Sequence, residues 1–174
     1  AVFKRFLNVD RKFKENPDSF PKYAAGIKKL LDQGHAEKVP PAEIKTKEGR
    51  TRHLPHREVD HPRKSTRIVF DTSDKTGGVC LNDKMHTGPD LLQSLVGVFL
   101  RFRRYGIPVS CDLRAFYLSV HLPRSDRDYF RFYWYEDPLD FNSQIIQYRF
   151  CVHIFGGNAS QACCIHALCT VINR

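Results

Sequence analysis

A single carboxylate at the end of an apolar run gives the chain its clearest chemical signal. Residues 109–120 read VSCDLRAFYLSV, a short apolar stretch that stops on Asp112 and is followed by the aromatic pair Phe116 and Tyr117. A charge at the end of a buried strand is costly unless it is paired or coordinates a metal. Mg²⁺ takes one or two carboxylates together with substrate phosphates. Asp also caps turns after strands, and this stretch alone leaves both uses open. Three histidines, His53, His56 and His61, stand close together in a Pro- and Arg-rich segment. No fourth ligand at a zinc-like spacing accompanies them, so they read as exposed loop histidines. The six cysteines form no C-x-x-C pair and sit mostly in apolar runs. They read as reduced core thiols of an intracellular protein rather than as a zinc site or a disulfide framework.

The elements that must hold these groups follow from periodicity. Asn16 to Ser19 opens a helix with Phe20, Tyr23, Ile27, Leu30 and Leu31 on one stripe and Gly34 as its stop. Residues 35–66 read as loop with a short hairpin around residues 52–59, and residues 67–71 as a compact strand ahead of a glycine-rich turn. Gly88 to Asp90 opens a second helix, with Leu91, Leu92, Leu95, Val98, Phe99 and Phe102 on a wide apolar face and Gly106 at its end. Residues 129–135 and 146–152 alternate with period two and are rich in aromatics, which predicts a strand pair. Residues 109–112 are expected as a central strand beside that pair, with Asp112 at its exposed end. A glycine turn at residues 155–160 then feeds a small apolar helix starting near Gln161. The fold class expected is α+β, with an antiparallel sheet and packed helices.

The net charge of +9 is unevenly distributed: residues 1–67 hold 17 Lys and Arg against 9 Asp and Glu, and residues 68–174 hold 11 against 10. A basic N-terminal half suits either a polyanion contact or a solvated lysine-rich surface. No apolar run approaches the roughly 18 residues that span a bilayer, and the first residues are too charged for a signal peptide. The chain starts without Met and stops inside a helical pattern, and so reads as an excerpt.

Taken together, these segments resemble a known family. Residues 109–117 look like motif A of reverse transcriptases, FGGNAS at 155–160 looks like motif B, and RIVFD at 67–71 looks like the fingers strand carrying a triphosphate-contacting Arg. HLPH at 53–56, RIVFDTS at 67–73, CLND at 80–83, GPDL at 88–91 and GHAE at 34–37 are similar to the BEL/Pao class of LTR retrotransposons. The resemblance covers nearly the whole chain, in the right order. It implies a right-hand polymerase: a helical lead-in over residues 1–50, basic fingers over 51–106, and a partial palm over 107–174 that stops before motif C.

What the resemblance implies about activity is RNA-directed DNA polymerisation, the transfer of a nucleotidyl group from a dNTP to a primer 3′-OH. Two Mg²⁺ ions serve that reaction, held about 3.5–4 Å apart, with Asp112 as catalytic carboxylate and the Leu113 backbone carbonyl as a further ligand. Arg67 would hold the incoming phosphates, Tyr117 would exclude a 2′-OH, and Phe155, Gly156 and Gly157 would line the nucleotide. Asp71, Asn158, and either Arg63 or Lys64 would face template and primer. The implied partners are an RNA or DNA template–primer, a dNTP, and the rest of a polyprotein (motif C, thumb and ribonuclease H), with no membrane. The implied location is a cytoplasmic particle or the nucleus. Motif B departs from the family at Gln161, where Pro is usual, and at Asn158, where Thr is usual. A non-catalytic remnant that only binds nucleic acid is the alternative, and an unrelated basic binding protein is the third reading.

Overall fold

The structure, a computed structural model, describes residues 2–45, 49–61 and 64–173. It is a mixed α+β arrangement with two antiparallel sheets and four α-helices among the described residues. Helix α1 (Val2–Glu15) is followed by α2 (Phe20–Asp32), β1 (Ala36–Lys38), β2 (His56–His61), β3 (Lys64–Phe70), α3 (Leu95–Phe102), β4 (Arg131–Tyr135), β5 (Ile145–Phe150) and α4 (Ser160–Ile172).

The period-two segments form the strand pair that their pattern predicts. Strands β4 and β5 pair antiparallel, with Arg131 opposite Arg149 and Tyr135 opposite Ile145. Phe132 and Trp134 from β4 and Tyr148 and Phe150 from β5 are all but completely buried. Helices α1 and α2 cover this sheet with rings of their own: Trp134 stacks on Phe20 (6.0 Å) and Tyr23 (5.2 Å), and Phe13 meets Tyr23 edge-on at 5.3 Å. Offset and edge-on pairs of this kind add to the gain from burial alone.

Helix α1 has no counterpart among the elements read from periodicity. Val2, Phe6, Asp10 and Phe13 are its buried residues, a sparse stripe at helical spacing. Asp10 enters the core because the Tyr135 hydroxyl donates to its Oδ1 at 2.6 Å and Lys14 bonds its Oδ2 at 2.9 Å. Helix α2 appears where its stripe predicts, and Gly26 lets it lie close on β3. A Cβ at Gly26 would stand 2.8 Å from Ile68 Cγ1.

The third strand of the main sheet is a correction. It is β1, not residues 109–112: Ala36, Glu37 and Lys38 pair with Phe150, Arg149 and Tyr148. Residues 108–113 take no regular structure and are exposed, Val109 to 81%. An apolar run becomes a strand only when a neighbour accepts from its N–H groups and donates to its C=O groups, and the described residues offer these none. What anchors β1 is ionic. Arg149, 4% exposed in its side chain, donates to Glu37 from Nε at 2.8 Å and to Asp128 from Nη1 at 3.0 Å. Arg131, wholly buried, donates to Asp128 from Nη2 at 2.8 Å and to the Ile44 carbonyl from Nη1 at 3.1 Å. Burial would raise the Glu37 and Asp128 carboxyls, but these guanidinium contacts outweigh it and hold both below the usual carboxylate range.

Other expectations also give way. The hairpin is not confined to residues 52–59: β2 and β3 pair with each other, His56 opposite Phe70 and Val59 opposite Arg67. The second helix begins at Leu95, not at residue 89; in the irregular stretch before it the Asp90 carboxylate takes the Leu92 N–H at 3.0 Å, a local bond that competes with helical pairing. None of α3 is buried, with Leu95 at 66% and Leu100 at 70% exposure. His56 is no loop histidine. It is buried between the Tyr23 hydroxyl at Nδ1 and the Tyr133 carbonyl at Nε2 (2.9 Å). His53 stacks on the Tyr133 ring at 4.6 Å, and the His61 side chain lies outside the described residues. All six cysteines are free, but Cys111, Cys163 and Cys169 are exposed rather than core thiols. Among the described residues no helix is long and apolar enough to cross a membrane.

Candidate functional site

Three segments distant in sequence meet at one end of β5. The chain beyond β5 continues along the sheet edge, where the Leu122 N–H donates to the Cys151 carbonyl (2.8 Å) and the His153 N–H to the Val120 carbonyl (2.9 Å). This pairing carries the short helical turn Tyr117–Ser119 up to the glycine turn at 155–157. The Tyr117 ring then meets Phe155 edge-on, 5.8 Å between centroids. Tyr117 is half-buried, whereas Phe155 is 76% exposed and presents its free face outward. Ala115, just upstream, takes a left-handed φ of 54°, a conformation that costs a non-glycine residue energy.

The third segment is the loop after β3. Thr72, 2% exposed, donates from Oγ1 to the Gly156 carbonyl at 2.7 Å. Asn82 donates from Nδ2 to the same carbonyl at 3.0 Å, and its Oδ1 accepts the Asn158 N–H at 3.1 Å. The Asn158 side chain returns a bond from Nδ2 to the Asn82 carbonyl at 3.1 Å. The turn therefore hangs on a reciprocal pair of asparagines plus a threonine. Two glycines make the geometry feasible. Gly156 has φ 92°, where L-residues are strained, and a Cβ at Gly157 would press to 2.8 Å from Ser160 Oγ.

The residues singled out from sequence divide into two groups. Tyr117, Phe155, Gly156, Gly157 and Asn158 are brought together. Asp112 and Leu113 lie in the exposed irregular stretch just before Tyr117, and Asp112 makes no hydrogen bond or ion pair among the described residues. Arg67 is exposed on β3, and no hydrogen bond, ion pair or ring contact among the described residues joins it to Tyr117 or Phe155. Asp71 accepts the Ser73 N–H at 2.9 Å and lines a cavity of about 220 Å³ with Arg5, Phe6, His56, Arg57 and Tyr133. Lys64 pairs with His61 where β2 and β3 meet, but its side chain, like all of Arg63, lies outside the described residues.

Two residues that carry the geometry, Thr72 and Asn82, have no role in the sequence reading. Their signal was present: both belong to the family-like stretches at 67–73 and 80–83, and each is a small polar residue in a turn. Nothing in either stretch shows that its partner lies more than 70 residues away.

A two-metal centre does not fit the residues present. Among the described residues no group of three His, Cys, Asp or Glu side chains is placed to hold a metal ion. Asp112 brings a single negative charge to a site that would carry two divalent cations. The chain matches no protein-family model, and no curated protein matches it.

Proposed function

We propose that the chain is the fingers and first part of the palm of a right-hand polymerase of the reverse transcriptase type, from a BEL/Pao-like retrotransposon, acting inside the cell. The observation that supports it best is the Tyr117–Phe155 wall tied to the loop after β3. The segments that resemble motif A, motif B and the fingers strand are separate in sequence, and the fold draws their ends together. In this reading Tyr117 and Phe155 flank the nucleotide sugar and base, and the bare backbone at Gly156 and Gly157 lets the nucleotide approach closely. Arg67, an exposed planar donor on β3, faces triphosphate, while Asp71 and Asn158 face template and primer together with either Arg63 or Lys64, whose side chains lie outside the described residues. The basic N-terminal half holds the duplex backbone through its phosphates. Asp112 would supply one carboxylate toward Mg²⁺, and nucleotidyl transfer would need further carboxylates that the described residues do not provide.

The departures from the motif B pattern at Asn158 and Gln161 support one other reading, a remnant that binds nucleic acid without catalysis. Primer extension by this chain continued through a Tyr-x-Asp-Asp hairpin and thumb separates the two. The polymerase reading expects extension that Asp112→Asn abolishes, and that Tyr117→Val retains while admitting ribonucleotides. Extension that survives Asp112→Asn refutes it. A folded longer protein that binds duplex in a salt-dependent way yet extends nothing supports the remnant.

A further inference from the structure

We propose that Asn82 is a positioning residue that sets the Phe155–Gly157 turn against Tyr117, and so sets how strictly the nucleotide sugar is selected. The inference rests on the polymerase reading for its consequence, but not for its mechanics. Asn82 is the only side chain among the described residues that bonds the turn on both sides of Gly157: Nδ2 holds the Gly156 carbonyl at 3.0 Å and Oδ1 holds the Asn158 N–H at 3.1 Å. Its own orientation is set in turn. Nδ2 also donates to Ser73 Oγ (3.2 Å), its carbonyl accepts from Asn158 Nδ2 (3.1 Å), and its N–H donates to the Thr72 carbonyl (3.3 Å). Thr72 adds a second donor to the Gly156 carbonyl at 2.7 Å.

The turn needs such a hold. Gly156 and Gly157 have no side chains to pack, and glycine loses more backbone freedom on ordering than any other residue. Phe155 is 76% exposed, so packing fixes it on one face alone, the edge-on contact with Tyr117. Without Asn82 the Gly156 carbonyl keeps Thr72, but the Asn158 N–H loses its acceptor. The turn is then held by Thr72 and by the Asn158 side chain on the residue 82 carbonyl, and it swings more widely on its glycines. The gap between Phe155 and Tyr117 widens, and a ribose 2′-OH meets less resistance.

The test uses the intact 174-residue chain and two substitutions. Asn82→Ala removes both bonds, whereas Asn82→Asp keeps the acceptor for Asn158 and removes the donor to Gly156. Amide hydrogen exchange reads the mechanics. Asn158 exchange should rise about tenfold in Asn82→Ala, as expected for one lost hydrogen bond. It should stay near wild type in Asn82→Asp, and the sheet amides of Leu122 and His153 should keep their protection in both. Affinities for dCTP and CTP, measured on a primer–template that calls for cytosine, read the consequence. Asn82→Ala should lose preference for dCTP and Asn82→Asp should keep it near wild type, while duplex affinity holds in both. A merely structural role would weaken duplex binding and sheet protection as well, or would leave the sugar preference alone. Unchanged Asn158 exchange in Asn82→Ala overturns the proposal, as does a released turn with undiminished sugar preference. If wild-type protein shows no preference for dCTP, the polymerase reading fails instead, and the exchange data alone decide whether Asn82 holds the turn.

Discussion

Asp128→Asn tests the buried charge network that joins β1, β4 and β5. Asp128 Oδ1 accepts from Arg131 Nε at 3.0 Å, from Arg131 Nη2 at 2.8 Å and from Arg149 Nη1 at 3.0 Å. Arg149 keeps Glu37 and Glu43 when that charge is removed. Arg131, fully buried, keeps only neutral acceptors, the carbonyls of Glu43 and Ile44 and the Gln147 side chain. Breaking a buried pair by removing one partner costs about 3–5 kcal/mol, because it strands the other charge away from water. The Asp128 side chain keeps 18% exposure, which puts the loss at the lower end, about 3 kcal/mol. For a domain of this size that lowers Tm by roughly 6–12 °C. The pH dependence supplies a sharper criterion. Burial would raise the Asp128 carboxyl, but the hydrogen bonds and charges of Arg131 and Arg149 prevail and lower it. A carboxylate lowered in the folded state contributes fully above its unfolded pKa of about 3.9 and loses that contribution as pH falls from there through the lower folded-state pKa. The variant's deficit should be full at pH 6 and shrink below about pH 4. Thermal unfolding by circular dichroism across that range is the assay. A Tm within about 2 °C of wild type at pH 6, or a deficit that persists undiminished at pH 3, would refute the reasoning.

Two further outcomes test the core. Burial pushes the His56 imidazole down to about 4, against the opposing pull of the Tyr133 carbonyl. The unfolded chain then binds a proton that the folded one refuses, so stability should fall as pH drops from about 6.5 towards 4. An NMR titration of the His56 ring with a midpoint near 6.5 would contradict this. Gly26→Ala should destabilise, although helix propensity alone favours Ala by about 1 kcal/mol. The new Cβ would lie 2.8 Å from Ile68 Cγ1, and overpacking of this kind costs about 1–3 kcal/mol. A denaturant midpoint higher than that of wild type would show that α2 and β3 have room to separate.

What the sequence determined by itself was whatever its periodicity encodes. The aromatic alternation in residues 129–135 and 146–152, the apolar stripe of α2, and the glycine turn before α4 each declare an element, because a period of two or 3.6 places its apolar residues on one face. The residues of the candidate wall, Tyr117 and Phe155 to Asn158, were legible for a related reason: their order along the chain resembles a family's. Tertiary structure decided the rest. Residues 109–112 and β1 differ in hydrophobicity in the direction opposite to their fates. The apolar run stays irregular for want of hydrogen-bonding neighbours, while Ala36–Lys38 becomes a strand because Arg149 holds Glu37 from more than a hundred residues away. Arg131 and Arg149 look like solvated charges in an alternating strand, yet they are buried, since Glu37 of β1 and Glu43 and Asp128 from two short helical turns neutralise them. Asn82 carries no periodic signal at all. It holds the turn at Gly156 because pairing of residues 120–122 with 151–153, and of β2 with β3, sets the end of each loop in reach of the other. Local sequence encodes which face of an element is apolar, and which partner completes that face or accepts a given hydrogen bond is a property of chains brought together from far apart.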